Sequence, residues 1–517
     1  MAEGGELGMP APFPREYRAS GVLMPLLSLP CRYGIGDLGP TALAWIDRLR
    51  EAGQGWWQAL PLGPTGYGNS PYQPLSSFAG NELVVSPDGL MEEGLLRPED
   101  CSGYPNSPDV IDYAAVIAFK RRLLETAFRN FMAGNAATLR LPFERFGATH
   151  AYWLDDHALF RALKDKYGGA HYLEWPAELV RRDASALATI RVELREQIDE
   201  VRFSQFLLFR QAKALTDYAR SKSIHLIGDL PFFVSPDSSD LWANPEFFLL
   251  DSARRPRFVA GVPPDYFSAH GQRWGNPVYC WDSLRSTGYR WWVERLRARL
   301  KHVHVVRLDH FRAFAAAWHV PAQAETAQTG EWSSGPGADF FQIVAKELGG
   351  LPFIAEDLGL ITPDVSALRD QFGIPGTRVL QFAFDGNNGN PHRPDNYASN
   401  TVVYTGTHDN ATSRGWFEEA PDHERQDLWR YLRREPGSVD QVAPILIAAA
   451  WESQAALAIM PLSDLLNLGN EARLNRPGSP DGNWSWRCDE KLLDSTTFEW
   501  LRELTQRCGR GVRQASV

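Results

Sequence analysis

HVVRLDH, residues 304–310, reads as one strand that ends in chemistry. Successive side chains of a strand face opposite sides, so Arg307 and Asp309, two apart, share a face. With Val306 and Leu308 packed outward against helices, that pair points into whatever the strand helps to enclose. Seven further runs have the same strand length and similar polar or Gly/Pro boundaries. They are SGVLMPL (20–26), WQALPLG (57–63), HLIGDLP (225–231), LPFIAED (351–357), GTRVLQFAF (376–384), TVVYTGTHD (401–409) and LAIMPLSDL (457–465). Helical spacing lies between them. Ile198, Val201, Leu208, Ala212, Leu215 and Ala219 recur at three- and four-residue steps, one face of a helix. Eight buried strands alternating with helices predict an α/β fold, a parallel (β/α)8 TIM barrel.

A minimal barrel needs about 250 residues, and the chain has 517. We therefore expect one barrel over 1–517, with the excess in insertions. Residues 63–223 read as a mostly helical insertion after the second strand, with helical stretches such as 117–133 and 150–166. Smaller insertions over 232–281 and 311–350 follow the third and fourth strands. The stretch after Leu465 is too short for a separate C-terminal β-sandwich.

An apolar content of 44% with 22% charged residues excludes a mainly disordered chain. The balance of 53 basic against 63 acidic residues, a net charge of −10, disfavours nucleic acid or an anionic membrane as partner. The most apolar run, 444–462, is interrupted by Glu452, Ser453 and Gln454 and is too short to span a membrane. Five cysteines share neither disulfide-framework nor metal-ligand spacing, and the N-terminus has no apolar signal region. The expected compartment is the cytoplasm.

Barrel enzymes carry their chemistry at the C-terminal ends of the strands. Four runs end there in carboxylates: Asp229, Asp309, Glu356 with Asp357, and Asp409. Arg307–Asp309 alone reads equally well as a buried structural ion pair. Several acids converging on one mouth favour acid–base work, because neighbouring carboxylates push one another's proton affinities apart. Glycoside chemistry uses such a pair, one group attacking the anomeric carbon and the other protonating the leaving oxygen. A metal site is the rival use. No histidine alternates with these acids in ligand spacing except His408 beside Asp409, so no metal and no cofactor are expected. GYGNSPYQ contributes Tyr72 after the second run, and GVPPDYFSAHGQRWGNP contributes Tyr266, Phe267 and Trp274 after the third. Both read as loop segments whose rings suit the C–H faces of sugars.

The motifs are similar to those of the amylomaltases, the 4-α-glucanotransferases related to the α-amylases. The resemblance is carried by YGIGDLG (33–39), WWQALPLGPTGYGNSPYQ (56–73), GDLPFFV (228–234) and AGVPPDYFSAHGQRWGNP (260–277). It continues through RLDHFRAF (307–314), AEDLG (355–359), GTRVLQFAF, YTGTHDN (404–410) and NRPGSPDGNWSWR (475–487), across nearly the whole chain. The resemblance implies Asp309 as nucleophile, Glu356 as general acid/base and Asp409 as the carboxylate that holds the distorted ring. It implies that Arg307 orients the nucleophile and that Asp229 and His408 bind sugar hydroxyls. Tyr72, Tyr266, Phe267 and Trp274 align with glucan-contacting aromatics, and 261–267 with a flap over the cleft. The implied partners are maltooligosaccharides, starch- or glycogen-type α-glucans and glucose. Phe233 and Val234 stand where α-amylases carry Asn and His, which argues against a true α-amylase and its structural calcium.

Overall fold

A computed structural model describes residues 12–14, 16–105, 109–264, 269–479 and 481–511. In chain order the strands are β1 (Ala19–Leu23), β2 (Trp56–Gln58), β3 (His225–Leu230), β4 (Phe258–Val262), β5 (Gln272–Pro277) and β6 (Val305–Leu308). Then follow β7 (Ala316–Pro321), β8 (Glu331–Ser334), β9 (Phe353–Ala355), β10 (Gly376–Val379), β11 (Thr401–Tyr404) and β12 (Leu457–Pro461).

Eight of these close into a barrel in the order β1-β12-β11-β10-β9-β6-β3-β2, every neighbouring pair parallel. All eight coincide with runs read as strands from the sequence, β1 and β2 each beginning one residue earlier. Their residues are buried apart from His225 and the half-buried Arg378, because helices cover one face and the barrel interior the other. Val306 and Leu308 join an apolar cluster with Phe340, Phe341 and Val344 of helix Gly337–Leu348. That outward packing turns Arg307 inward. Across the interior, the Tyr404 hydroxyl on β11 donates to Gln58 Oε1 on β2 at 2.7 Å, satisfying two buried polar groups at once.

Between β2 and β3 the described elements are helices, including Tyr113–Met132, Arg140–Lys166 and Arg195–Ser221, joined by turns and coil. The last of these leads directly into β3. Its Ile198, Leu208, Leu215 and Ala219 are buried, with Val201 and Ala212 packed at the margin.

Two features differ from the sequence reading. The insertions after β3 and β6 are joined by an antiparallel sheet in the order β5-β4-β7-β8, with Val259 opposite Val320 and Gly261 opposite Trp318. Its strands escaped detection because stretches such as QRWGNP and EWSS lack apolar alternation and pair with partners distant in sequence. The other difference is the β10–β11 connection, which carries only 3₁₀ turns at Leu380–Phe382 and Pro394–Asn396. Its DGNNGNPHRPDN stretch (385–396) is rich in residues that end helices rather than extend them.

No helix among the described residues is long and apolar enough to cross a membrane.

Candidate active site

Asp229 stands opposite Arg307 in the β3–β6 pairing, and Leu308 stands opposite Ala355 in the β6–β9 pairing. That register brings Asp229, Arg307, Asp309 and Glu356 to one end of three adjacent strands. Arg307 Nη1 reaches Asp229 at 3.0 and 2.8 Å and Asp309 Oδ1 at 3.2 Å. The Arg307 and Asp229 side chains are 4% and 0% exposed, whereas Asp309 is 27% exposed toward the cleft. Burial opposes the guanidinium charge, but Asp229, Tyr72, Asp309 and Glu356 outweigh it and hold its pKa well above the usual value. A buried cation of this kind persists only when surrounded by such partners.

Tyr72 closes the network from the β2 side. Its hydroxyl donates to Asp229 Oδ2 at 2.8 Å, and its ring stacks on His408 with centroids 4.9 Å apart and planes at 16°. Burial, reinforced by Asp229, pushes the phenol well above its ordinary range, so it remains a donor. Burial lowers His408 more than the Asp409 charge raises it, which favours a neutral ring. His408 Nε2 lies 3.4 Å from Asp409 Oδ2. Asp409 is the open member of the set, its side chain 46% exposed. Asn475 Nδ2 donates to its Oδ1 at 2.6 Å, and Arg473 Nη2 donates to its backbone carbonyl at 2.8 Å.

Glu356 is held differently. Its Oε2 accepts the His310 backbone N–H at 2.7 Å and its Oε1 accepts the Leu358 N–H at 3.1 Å. His310 has φ 49° and ψ 49°, a left-handed conformation that costs a non-glycine residue energy. Burial, with Asp309 adding to it against Arg307, pushes Glu356 up to about 8. Burial also raises Asp309, to about 7, against the pull of Arg307. Both carboxyls sit above their usual range, and the one without a direct cation contact holds its proton more tightly.

Asp357, adjacent to Glu356 in the chain, turns away from the mouth. It accepts the Thr377 N–H at 2.6 Å and pairs with Arg369 and Arg378. It fastens β9 to β10. Trp274 reaches the mouth from β5, a strand rather than the expected loop, and meets the His310 ring edge-on at 4.9 Å. Tyr266 and Phe267 lie outside the described residues, as does part of the 261–267 segment.

The sequence reading singled out neither His310 nor Arg473, Asn475 and Trp484. The Trp484 ring lies 5.7 Å from Tyr72 and 5.9 Å from His408. His310 was visible beside Asp309, and Asn475 and Trp484 lie in the quoted NRPGSPDGNWSWR motif. None of these positions shows in sequence which member of the site it touches.

A family profile described as 4-alpha-glucanotransferase matches residues 24–493. The chain belongs to the 4-alpha-glucanotransferase family. It is 46% identical over 502 residues to the 4-alpha-glucanotransferase of Synechocystis sp., spanning 96% of this chain and 98% of that one. Identity to the 4-alpha-glucanotransferase of Thermus thermophilus is 47% over 478 residues, or 91% and 94% of the two chains. A solved structure, amylomaltase from Streptococcus agalactiae in complex with acarbose, superposes with a TM-score of 0.92 at 36% identity. It covers 96% of this chain and 100% of that one. The fold of this glucanotransferase and the four-residue set Asp229, Arg307, Asp309 and Glu356 thus occur in a chain matched to the family along almost its whole length.

Proposed function

We propose that the enzyme moves segments of α-1,4-glucan to the 4-hydroxyl of glucose or another α-glucan by a retaining double displacement. The observation that carries the roles is the unequal treatment of two carboxyls on adjacent strand ends. Asp309 contacts a cation, and the half-buried Glu356 accepts only amide N–H groups among the described residues. Glu356 as the acid protonates the leaving glycosidic oxygen while Asp309 attacks the anomeric carbon and forms a glucosyl ester. Glu356, now ionised, takes the proton of the incoming 4-hydroxyl as that oxygen displaces Asp309. Two inversions give retention. Asp409, held by Asn475, favours the distorted ring and its developing positive charge. Asp229 and His408 bind sugar hydroxyls, and Tyr72, Trp274 and the segment bearing Tyr266 and Phe267 support the glucan.

Incubation with maltotriose tests the reaction. Transfer yields glucose and a ladder of longer maltooligosaccharides; shorter products alone would identify a hydrolase and overturn the reading. The proposed compartment is the cytoplasm, supported by five cysteines that are all free.

The pH dependence follows from the two acids. Activity needs Asp309 ionised and is lost as pH falls through about 7; it needs Glu356 protonated and is lost as pH rises through about 8. We expect a narrow bell in kcat/KM, with both limbs above the ordinary carboxylate range. An acid limb near 4 would show that Arg307 dominates the Asp309 environment.

Tyr72→Phe removes one hydrogen bond to a fully buried carboxylate while sparing the stack on His408. A loss of about 1–3 kcal/mol corresponds to roughly 5- to 150-fold in kcat/KM, with the fold unchanged. Wild-type kinetics would remove Tyr72 from the site. Trp274→Ala opens the mouth beside His310 to water, and product analysis should show a larger share of hydrolysis. An unchanged ratio of transfer to hydrolysis would count against that role.

A further inference from the structure

A second concave site lies at the opposite end of the barrel strands. Helix Arg140–Lys166, helix Arg195–Ser221 and the Lys301–His302 turn that leads to β6 enclose a groove of about 420 Å³. Its floor is aromatic. Phe146 lies 4.5 Å from the His150 ring and 5.4 Å from Phe209, and Phe209 meets His302 edge-on at 5.1 Å. Burial lowers both histidines to about 4, so at neutral pH they contribute flat, uncharged rings.

The rim is cationic. Arg210, Lys213, Asp217 and Arg220 recur at three- and four-residue steps on one helix face, continuing the stripe that begins with Phe206 and Phe209. Arg210 pairs with Glu93, and Lys213 with Asp217. Among the described residues the one acidic contact of Arg220 is with the same Asp217, at 3.7 Å. Lys301, exposed across the groove, has no acidic partner among the described residues. Four cations thus face two carboxylates, Asp217 and the Glu93 that pairs with Arg210, in a chain whose net charge is −10. A local excess of positive charge over an aromatic floor suits an anion with a flat body.

We propose that this groove binds a small phosphorylated molecule carrying a flat ring, of the nucleoside monophosphate class. The ring lies on Phe209 with Phe146, tilted 61° to it, against its edge, and the phosphate sits between Arg220 and Lys301. The site is separate from the catalytic mouth, since Lys301 and His302 precede β6 and Asp309 follows it.

Calorimetric titration of the full-length enzyme with AMP, adenosine and inorganic phosphate provides the test, with Lys301→Glu and Arg220→Glu as exposed variants outside the catalytic site. We expect AMP to bind with a Kd of about 1 mM or tighter, and adenosine and phosphate each to bind at least about tenfold more weakly. Each charge reversal should weaken AMP at least about fivefold and leave maltotriose turnover without AMP unchanged. The proposal is overturned if AMP gives no heat at about 10 mM, if adenosine binds as well as AMP, or if both variants bind AMP like wild type.

Discussion

Asp309→Asn should lower kcat on maltotriose by roughly four orders of magnitude or more while the barrel remains intact. The amide keeps the size of the side chain but cannot supply the attacking oxygen anion, and with it goes the ester that links the two displacements. The same change removes a negative charge that helps to raise Glu356. Losing an anionic neighbour stabilises the ionised form of an acid, so the Glu356 pKa should fall below about 8. Carbon-detected NMR of labelled glutamate would follow it. A variant that retained substantial turnover would remove Asp309 from the chemistry. A Glu356 pKa unchanged by the substitution would show that the two carboxyls do not share a site.

Glu356→Gln separates proton donation from attack. With maltotriose the leaving oxygen must be protonated, and the loss should be about 10³- to 10⁴-fold. With a maltosyl fluoride donor the leaving group needs no proton, so ester formation on Asp309 should persist. Its release to a sugar acceptor should be slow, because no base remains to take the hydroxyl proton. Mass spectrometry of the trapped protein should then show a glycosyl adduct on the peptide containing Asp309. Equal losses on the two donors would deny Glu356 the acid role, and an adduct on another carboxylate would reassign the nucleophile.

The barrel and its acids were legible for a shared reason. A strand covered on both faces needs apolar residues throughout, so a charged residue within it or at its end stands out. Arg307 is the clearest case: neighbours Val306 and Leu308 require the outer face, and parity leaves Arg307 the interior. Asp357 shows the limit of that logic. The motif AED presents two acids at one strand end, and only packing reveals that Asp357 turns to Thr377 and Arg369 while Glu356 faces the cleft. The His310 amide that holds Glu356 depends on a left-handed backbone, which no residue preference announced.

Local patterning determined the barrel strands, their count and the end at which the carboxylates gather, because period and burial are properties of short segments. Tertiary structure decided what those segments could not encode. It joined β4 and β5 to β7 and β8, brought Trp274 beside His310 and carried Asn475 to Asp409 across 66 residues of chain. These contacts unite pieces with little sequence signature of their own. They exist only once the closed barrel has fixed where its loops emerge.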